Sequence, residues 1–510
     1  MATRNIGETA GWTLRRVPRR VGTGARGRRG AGPPVDDGAV PAEYLQADGV
    51  RVEEALEVRP TDQARRGGGP PELALEVDVK AGEAALLAIR HPSGALTFNR
   101  SVARTARAAG RRTTGPGVAR FRVPVRRVAD GSAPPAGESA RRGVLSNALK
   151  IVVIKIAKPA VDKAVSIALP RLAAMWEARV WAGKNLREGW FRVAPAGGAA
   201  GGLQLAPALP EPGQRSLLLV HGTFSNAAAA FGDLSRTDFF DRVRPTYGSR
   251  IYAYNHFSIS RSPDENAELL LSELPAGAPF EFDAITHSRG GLVLRSVVER
   301  RGQHGALADR FRLRRAVLVA SPNDGTPLAT PARWEDTVGW FANLMEVFPD
   351  NPFTSGAEFV SESLVWLASH LAGDLPGLRA MDGAGPLVGD LQSPPGPPAD
   401  AYSALVSNVH PDDGLWQRAV DVGVDSFFAS ANDLVVPSEG GWRVDRDGTP
   451  YVPAGRIGCF GPGGNLDPGA TPVNHVKFFD RSETADFLAR ALDGQTQPLP
   501  AIDLQAPLPD

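Results

Sequence analysis

An apolar run, Phe282-Asp-Ala-Ile-Thr286, leads into His287-Ser-Arg-Gly-Gly291 and then directly into an amphipathic run that ends at Glu299. A strand that turns sharply into a helix holds the residue at its corner in a strained backbone, with its side chain clear of the fold, and small neighbours let strand and helix approach. Ser288 stands at that corner, and the helix N-terminus beside it favours developing negative charge. A serine hydroxyl becomes a nucleophile only when a histidine takes its proton and an acid orients that histidine. Two later segments offer the partners. Ser426-Phe-Phe-Ala-Ser-Ala-Asn-Asp-Leu-Val-Val-Pro437 reads as a strand ending in a loop that presents Asp433, with Asp412, Asp413 and Asp425 as alternatives. Farther on, a strand at 455–460 and a Gly/Pro loop lead to Asn474-His475-Val476. The order serine, acid, histidine is the one that doubly wound hydrolytic folds use.

Acyl chemistry also needs donors for a developing oxyanion. Leu217-Leu-Leu-Val-His-Gly-Thr-Phe-Ser225 ends a strand in a His-Gly bend, so the N–H of Thr223 or Phe224, paired with that of Arg289, is the expected oxyanion hole. His221 and His287 read as structural, hydrogen-bonded near the bend and the corner. His256, in Tyr254-Asn-His-Phe257, is a candidate for the pocket wall. Asn323-Asp-Gly-Thr326 reads as a turn after a strand. One Asp and one Asn do not supply the six to eight oxygens of a calcium site, so no metal and no cofactor is expected.

The elements that must position these residues follow from patterning. Apolar strand-like runs at 216–220, 250–254, 280–286, 316–320, 424–429 and 456–460 are separated by helix-length segments. That alternation predicts an α/β domain over 214–495, a doubly wound, mostly parallel sheet covered on both faces. The interval between Ser288 and Asp433 leaves room for a helical cap insertion at about 333–420. Its amphipathic stretches, 334–348 and 357–371, carry Trp340 and Phe341 as candidates for an apolar acyl pocket. Before this domain, 1–45 reads as a disordered Arg/Gly-rich arm and 46–130 as a small β-rich domain with strands at 73–79, 84–90 and 121–125. Residues 144–193 read as an amphipathic helical connector, because Ile154, Ala157, Val161, Val165, Leu169 and Leu172 recur at intervals of three and four. Its lysines and Trp176, Trp181 and Trp190 offer a peripheral membrane contact.

Taken together, Val220-His-Gly-Thr223, Thr286-His-Ser-Arg-Gly-Gly291, Ala320-Ser-Pro-Asn-Asp-Gly-Thr-Pro-Leu-Ala329, Asn432-Asp-Leu-Val-Val-Pro437 and Asn474-His475 resemble bacterial lipases and esterases of the α/β-hydrolase superfamily. The resemblance spans about 215–490 and is silent on 1–195. It implies an α/β-hydrolase fold with Ser288 as nucleophile, His475 as base and Asp433 as orienting acid. The sequence departs from the Gly-x-Ser-x-Gly pattern at Thr286, which stands where the first glycine is usual.

Composition bounds the rest. The chain has 510 residues, 42% of them apolar, with formal charge +1, so no global field recruits nucleic acid. Its single cysteine, Cys459, excludes an intramolecular disulfide. No apolar run is long enough to span a membrane and no signal-like apolar segment follows the arginine-rich start, so the expected location is cytoplasmic. The function expected is hydrolysis of a carboxylic, lipid-like ester through an acyl-enzyme. The alternatives are a catalytically idle hydrolase fold acting as a binding scaffold, and a membrane-directed, phospholipase-like effector.

Overall fold

The computed structural model describes residues 7–9, 12–17, 50–60, 72–80, 83–91, 95–100, 117–124, 149–157, 174, 177–178, 181–196, 201–330, 340, 375–392, 396–397, 399–409, 430–445, 451–467, 472–495, 497–504 and 508. The N-terminal strands are β1 (Gly7–Thr9), β2 (Trp12–Arg16), β3 (Val50–Pro60), β4 (Glu72–Val79), β5 (Glu83–Arg90), β6 (Leu96–Arg100), β7 (Gly117–Pro124) and β8 (Leu149–Ala157). Six of them form an antiparallel sheet in the order β1-β2-β3-β8-β5-β6, and β4 pairs with β7 in a separate ribbon.

Two sequence expectations are corrected here. Residues 7–9 and 12–16, expected in a disordered arm, are strands at one side of this sheet, β1 at its edge and β2 between β1 and β3. Residues 149–157, expected at the start of a helix, are strand β8 at the centre of the sheet, between β3 and β5. The physical reason lies in Leu149-Lys-Ile-Val-Val-Ile-Lys-Ile-Ala157. β-Branched residues prefer the pleated sheet, and a strand buried on both faces lacks the alternation that normally betrays it. Odd positions Ile151 and Val153 join Leu87, Ile89 and the ribbon's Leu75 and Phe121 in one core. Even positions Val152, Ile154 and Ile156 join Leu86, Ala88 and Phe98 in another. Lys155, expected on a membrane-facing side, is buried with its ammonium near Glu53 (3.8 Å) and Glu83 (4.0 Å). Trp190 is also buried, stacked on Phe282, and Trp181 packs edge-on against Phe257. Trp176 lies outside the described residues.

The second sheet has eight strands: β9 (Gly189–Pro195), β10 (Leu203–Pro207), β11 (Arg215–Val220), β12 (Ile251–Asn255), β13 (Phe280–His287), β14 (Phe311–Val319), β15 (Tyr402–Ser407) and β16 (Ile457–Phe460). Their order is β10-β9-β12-β11-β13-β14-β15-β16, parallel from β12 to β16, with β9 antiparallel at one side. Alternate strand residues face opposite layers. Leu218, Tyr252, Ala284 and Leu318 pack with the helices Pro263–Glu273 and Gly290–Glu299, while Leu217, Ala253, Ile285 and Val317 pack with Phe239–Tyr247 and Ser482–Leu492. Near-continuous apolar strands of this kind are what a doubly covered parallel sheet requires. The architecture is a doubly wound α/β sheet, mostly parallel, with helices on both faces.

Strand β15 is a third correction. Residues 402–407 were expected inside a cap and instead pair with β14 and β16 in the central sheet, so any insertion ends before Tyr402. All six residues of the strand are buried, and their run of small and apolar side chains carries no cue that separates sheet from cap. The expected strand at 424–429 and the helical stretches at 334–348 and 357–371, Trp340 excepted, lie outside the described residues.

The two sheets meet. The core that begins on the even face of β5 and β8 continues without a break into Ile259, Leu292, Ala329, Leu375, Leu378 and Met381 of the α/β domain, with half-buried Phe224 and Val476 packed against it. The N-terminal sheet therefore covers the α/β domain where its strands' carboxyl ends emerge.

Candidate active site

Strand β13 ends at His287, and Ser288 follows at φ 53°, in the left-handed region that a non-glycine residue enters only under structural compulsion. Its N–H donates to Val319 O at 2.9 Å, and Gly291 N–H returns to Ser288 O at 2.9 Å to open the helix Gly290–Glu299. The corner is tight enough that a Cβ on Gly290 would lie 2.2 Å from Val220 O. Thr286, at the position usually held by glycine, is buried, and its Oγ1 lies 3.4 Å from Ser321 Oγ. The side chain that the pattern disfavours is accommodated by a neighbouring serine.

Asp433 sits in the loop 430–437, beside the carboxyl end of β15, where Ser438 donates to Ser407 O and Val409 N–H to Asn432 O. Its Oδ1 accepts from Val435 N–H (3.0 Å) and Val436 N–H (2.7 Å), and its Oδ2 lies 2.8 Å from His475 Nδ1. A second link, His475 N–H to Asp433 O at 3.0 Å, fixes the two loops to each other. The carboxylate, already holding two amide donors, has one oxygen left, and that oxygen fixes His475 with Nδ1 protonated and Nε2 free to take a proton. Ser288, His475 and Thr223 line one cavity of about 20 Å³, room for little more than a water molecule. Its remaining walls are the apolar Leu328, Ala329, Leu378, Met381, Val435 and Val436 and the polar Thr326.

The bend after β11 approaches the corner closely. A Cβ on Gly222 would stand 2.6 Å from Ser288 Cβ and 3.0 Å from His287 O, so only glycine fits. Phe224 has φ 56°, and its N–H donates to Ser258 Oγ at 3.0 Å. Among the described residues, the main-chain N–H groups of Thr223 and Arg289 have no hydrogen-bond acceptor. Of the two donors expected from this bend, Phe224 is therefore already engaged and Thr223 is open. Phe224, Ser288, Ala320 and Leu434, four of the five non-glycine residues with positive φ among those described, border this site. Strain of that kind collects where geometry is over-determined.

Two histidines support the site from behind. His221 donates from Nδ1 to Gly222 O (2.9 Å) and accepts at Nε2 from His256 N–H (3.1 Å). His287 donates from Nε2 to His475 O at 2.8 Å. Burial pushes the pKa of both down to about 3, so each stays a neutral ring with one defined tautomer. His256, expected on the pocket wall, is instead fully buried and stacked on His221 at 4.1 Å, outside the cavity lining. It lies on the far side of His221, which takes up the space between it and the bend. Trp340 is buried with its indole N–H on Leu434 O at 2.7 Å, which braces the acid loop rather than lining the cavity. Phe341 lies outside the described residues. Sequence reasoning missed Leu378, Met381 and Ser258. The first two carry no pattern that marks them, whereas Ser258 follows the carboxyl end of a strand, a signal that could have been used. Among the described residues, no three His, Cys, Asp or Glu side chains converge as a metal site.

Residues 199–493 match the model of a family described as a domain of unknown function, DUF7379, and the chain belongs to that family. No curated protein is similar to it in sequence. Among solved structures, it is similar to a lipase of Bacillus licheniformis in mature form at 15% identity, with 60% of this chain and 98% of that one covered and a TM-score of 0.32. Lipase 1 of Pelosinus fermentans matches at 11% identity over 56% and 99% of the two chains, TM-score 0.32. Naproxen esterase, carboxylesterase NP of Bacillus subtilis, matches at 12% identity over 65% and 99%, TM-score 0.26.

Proposed function

We propose that the protein is a serine hydrolase of the α/β-hydrolase superfamily that cleaves carboxylic esters with an apolar acyl group. The observation that carries this reading is the coupling of His475 Nδ1 to Asp433 Oδ2 at 2.8 Å, in the same cavity wall as a serine held at positive φ. In this reading His475 Nε2 removes the Ser288 proton as Oγ attacks the ester carbonyl, and Asp433 stabilises the imidazolium. The tetrahedral oxyanion is received by the open N–H groups of Thr223 and Arg289 at the head of the helix Gly290–Glu299. Collapse breaks the bond to the alcohol, which leaves with the proton from His475. Water, deprotonated by the same ring, then releases the acid. Six apolar walls and no charged group other than the triad favour an aliphatic acyl chain over a charged one.

The test is labelling by a fluorophosphonate, followed by turnover of p-nitrophenyl esters of graded chain length. Labelling and turnover that both vanish in Ser288→Ala are expected. Folded protein that is neither labelled nor active would establish the binding-scaffold alternative instead.

A further inference from the structure

The hydrogen bonds that fix both expected oxyanion donors converge on one loop, Ser258–Arg261, and that loop is held by a carboxylate from outside the matched family domain. Glu177 is a helical residue of the connector, buried to 3% exposure. Its Oε1 accepts from Ser258 N–H (2.8 Å) and Ile259 N–H (2.9 Å). Its Oε2 accepts from Ser260 N–H (2.7 Å) and from the Ser260 hydroxyl. One carboxylate thus satisfies three consecutive amides that no sheet or helix serves, so without it the loop would carry three buried unpaired donors.

The loop passes this order on in two directions. Ser258 Oγ accepts from Phe224 N–H at 3.0 Å, which holds the peptide immediately after Thr223 in its left-handed turn. Arg261 O accepts from Arg289 Nη2, while Arg289 Nε donates to Gly377 O at 3.1 Å and Gly377 N–H donates back to Ile259 O at 2.9 Å. Arg289 is fully buried with Nη1 unpaired; burial lowers its pKa to about 10, and the nearby charges of Glu177 and Glu265 offset that only in part. Both donors, Thr223 through its neighbour and Arg289 through its own side chain, therefore take their positions from a segment clamped by Glu177.

We infer that Glu177 is a positioning residue for the oxyanion hole, acting through Ser258 on Thr223 and through Arg261 on Arg289. The inference rests on the serine-hydrolase reading above. It makes the connector, and not only the α/β domain, a determinant of turnover.

The experiment compares the full-length wild type, Glu177→Gln, Glu177→Asp and Ser258→Ala. It measures kcat and KM on p-nitrophenyl butyrate, inhibition by an alkyl trifluoromethyl ketone, and thermal melting. The ketone forms a hemiketal oxyanion and so reads the hole directly. Gln keeps one acceptor oxygen but turns an N–H2 toward donors, whereas Asp keeps both acceptors on a shorter stem. Glu177→Gln is expected to lower kcat about 100-fold with KM within threefold, and ketone affinity is expected to fall by the same factor as kcat. Asp is expected to restore part of both. Ser258→Ala, which removes the Phe224 acceptor, is expected to lower kcat about tenfold while lowering the melting temperature by only a few degrees. It keeps the inference testable if the Glu177 variants do not fold. Folded Glu177→Gln or Ser258→Ala with wild-type kcat and ketone affinity would overturn the inference while leaving the hydrolase reading intact. A wild type that neither turns over esters nor binds the ketone would overturn both.

Discussion

Replacing Gly222 by alanine isolates the approach of the bend after β11, the proposed oxyanion hole, to Ser288, the proposed nucleophile. Gly222 does not have a positive φ, so alanine meets no backbone penalty and the effect is steric. The added Cβ would lie 2.6 Å from Ser288 Cβ, 3.0 Å from His287 O and 3.2 Å from Ser288 Oγ, where ordinary contact begins at 3.4 Å. Bend and corner must therefore separate by about 0.8 Å, and the corner cannot yield because its other side is held against the end of β14, where Ser288 N–H donates to Val319 O and a Cβ on Gly291 would lie 2.2 Å from Ser321 Oγ. A displacement approaching 1 Å costs on the order of 100-fold in rate, and complete loss of one oxyanion donor about 10²–10³, or roughly 3–4 kcal/mol. The expected result is a kcat on p-nitrophenyl butyrate lowered by about 10²–10³ with KM within threefold and a cooperative melt retained. Gly389→Ala is the control, since nothing lies within 4 Å of its added Cβ. Gly290→Ala is the contrast: its Cβ would meet main chain at 2.2 Å, and the loss should fall on folding itself. A folded Gly222→Ala enzyme with wild-type kcat would refute the placement of the oxyanion donors on this bend.

Asp433→Asn should leave the fold in place, since its Oδ1 contacts to Val435 and Val436 survive, yet lower kcat about 10⁴-fold by misorienting His475. A loss below tenfold would hand the acid's role to another residue. His221 and His287 bind protons in the unfolded chain near pH 6.5 and in the folded chain only near 3. Their stabilisation is therefore complete above pH 6.5 and is lost as pH falls toward 3, each contributing up to about 1.4 kcal/mol per pH unit. Denaturant midpoints at pH 7, 5.5 and 4 should show this slope, and His287→Asn should flatten it; an unchanged slope rejects the account. Met381→Ala opens the cavity wall and should raise the ratio of octanoate to butyrate turnover; an unaltered ratio would remove Met381 from the acyl pocket.

The α/β sheet was legible because parallel strands buried on both faces leave bare apolar runs, and Leu217–Val220 or Ala316–Val319 can be little else. The pairing of Asp433 with His475, and their nearness to Ser288, could be anticipated because these residues sit in short segments at the carboxyl ends of strands. The connector misled for the same reason that the sheet did not. Leu149–Ala157 is equally apolar, and with both faces covered it shows neither period, so the spacing of Ile154 and Ala157 imitated a helix face. Strand β15 was invisible within a long uncharacterised interval. Glu177 was out of reach for a different reason. A lone glutamate in a connector carries no pattern, and its meaning comes entirely from the three amides that β12 delivers to it from the next domain.

The burial of that carboxylate and the covering of the α/β domain by the N-terminal sheet have a common consequence. Burial pushes the Glu177 pKa up and the donors of Ser260, Ile259 and Ser258 pull it back, so Glu177 holds its loop only while the connector stays docked against those donors. The connector is docked in turn because Trp181 packs on Phe257, just ahead of strand β9, where Trp190 is sealed between Tyr254 and Phe282. The even face of the N-terminal sheet meets Leu378 and Met381, the same residues that wall the cavity. Stability at the domain junction and geometry at the serine are therefore not separable properties. Substitutions in the junction core, such as Ile154→Ala, should cost about 2–5 kcal/mol and lower kcat in step with stability. Substitutions of equal cost in the outer core between β5, β8 and the ribbon, such as Ile151→Ala, should leave kcat untouched. Equal kcat in the two variants, measured on protein shown to be folded, would mean that the N-terminal sheet merely rests on the site.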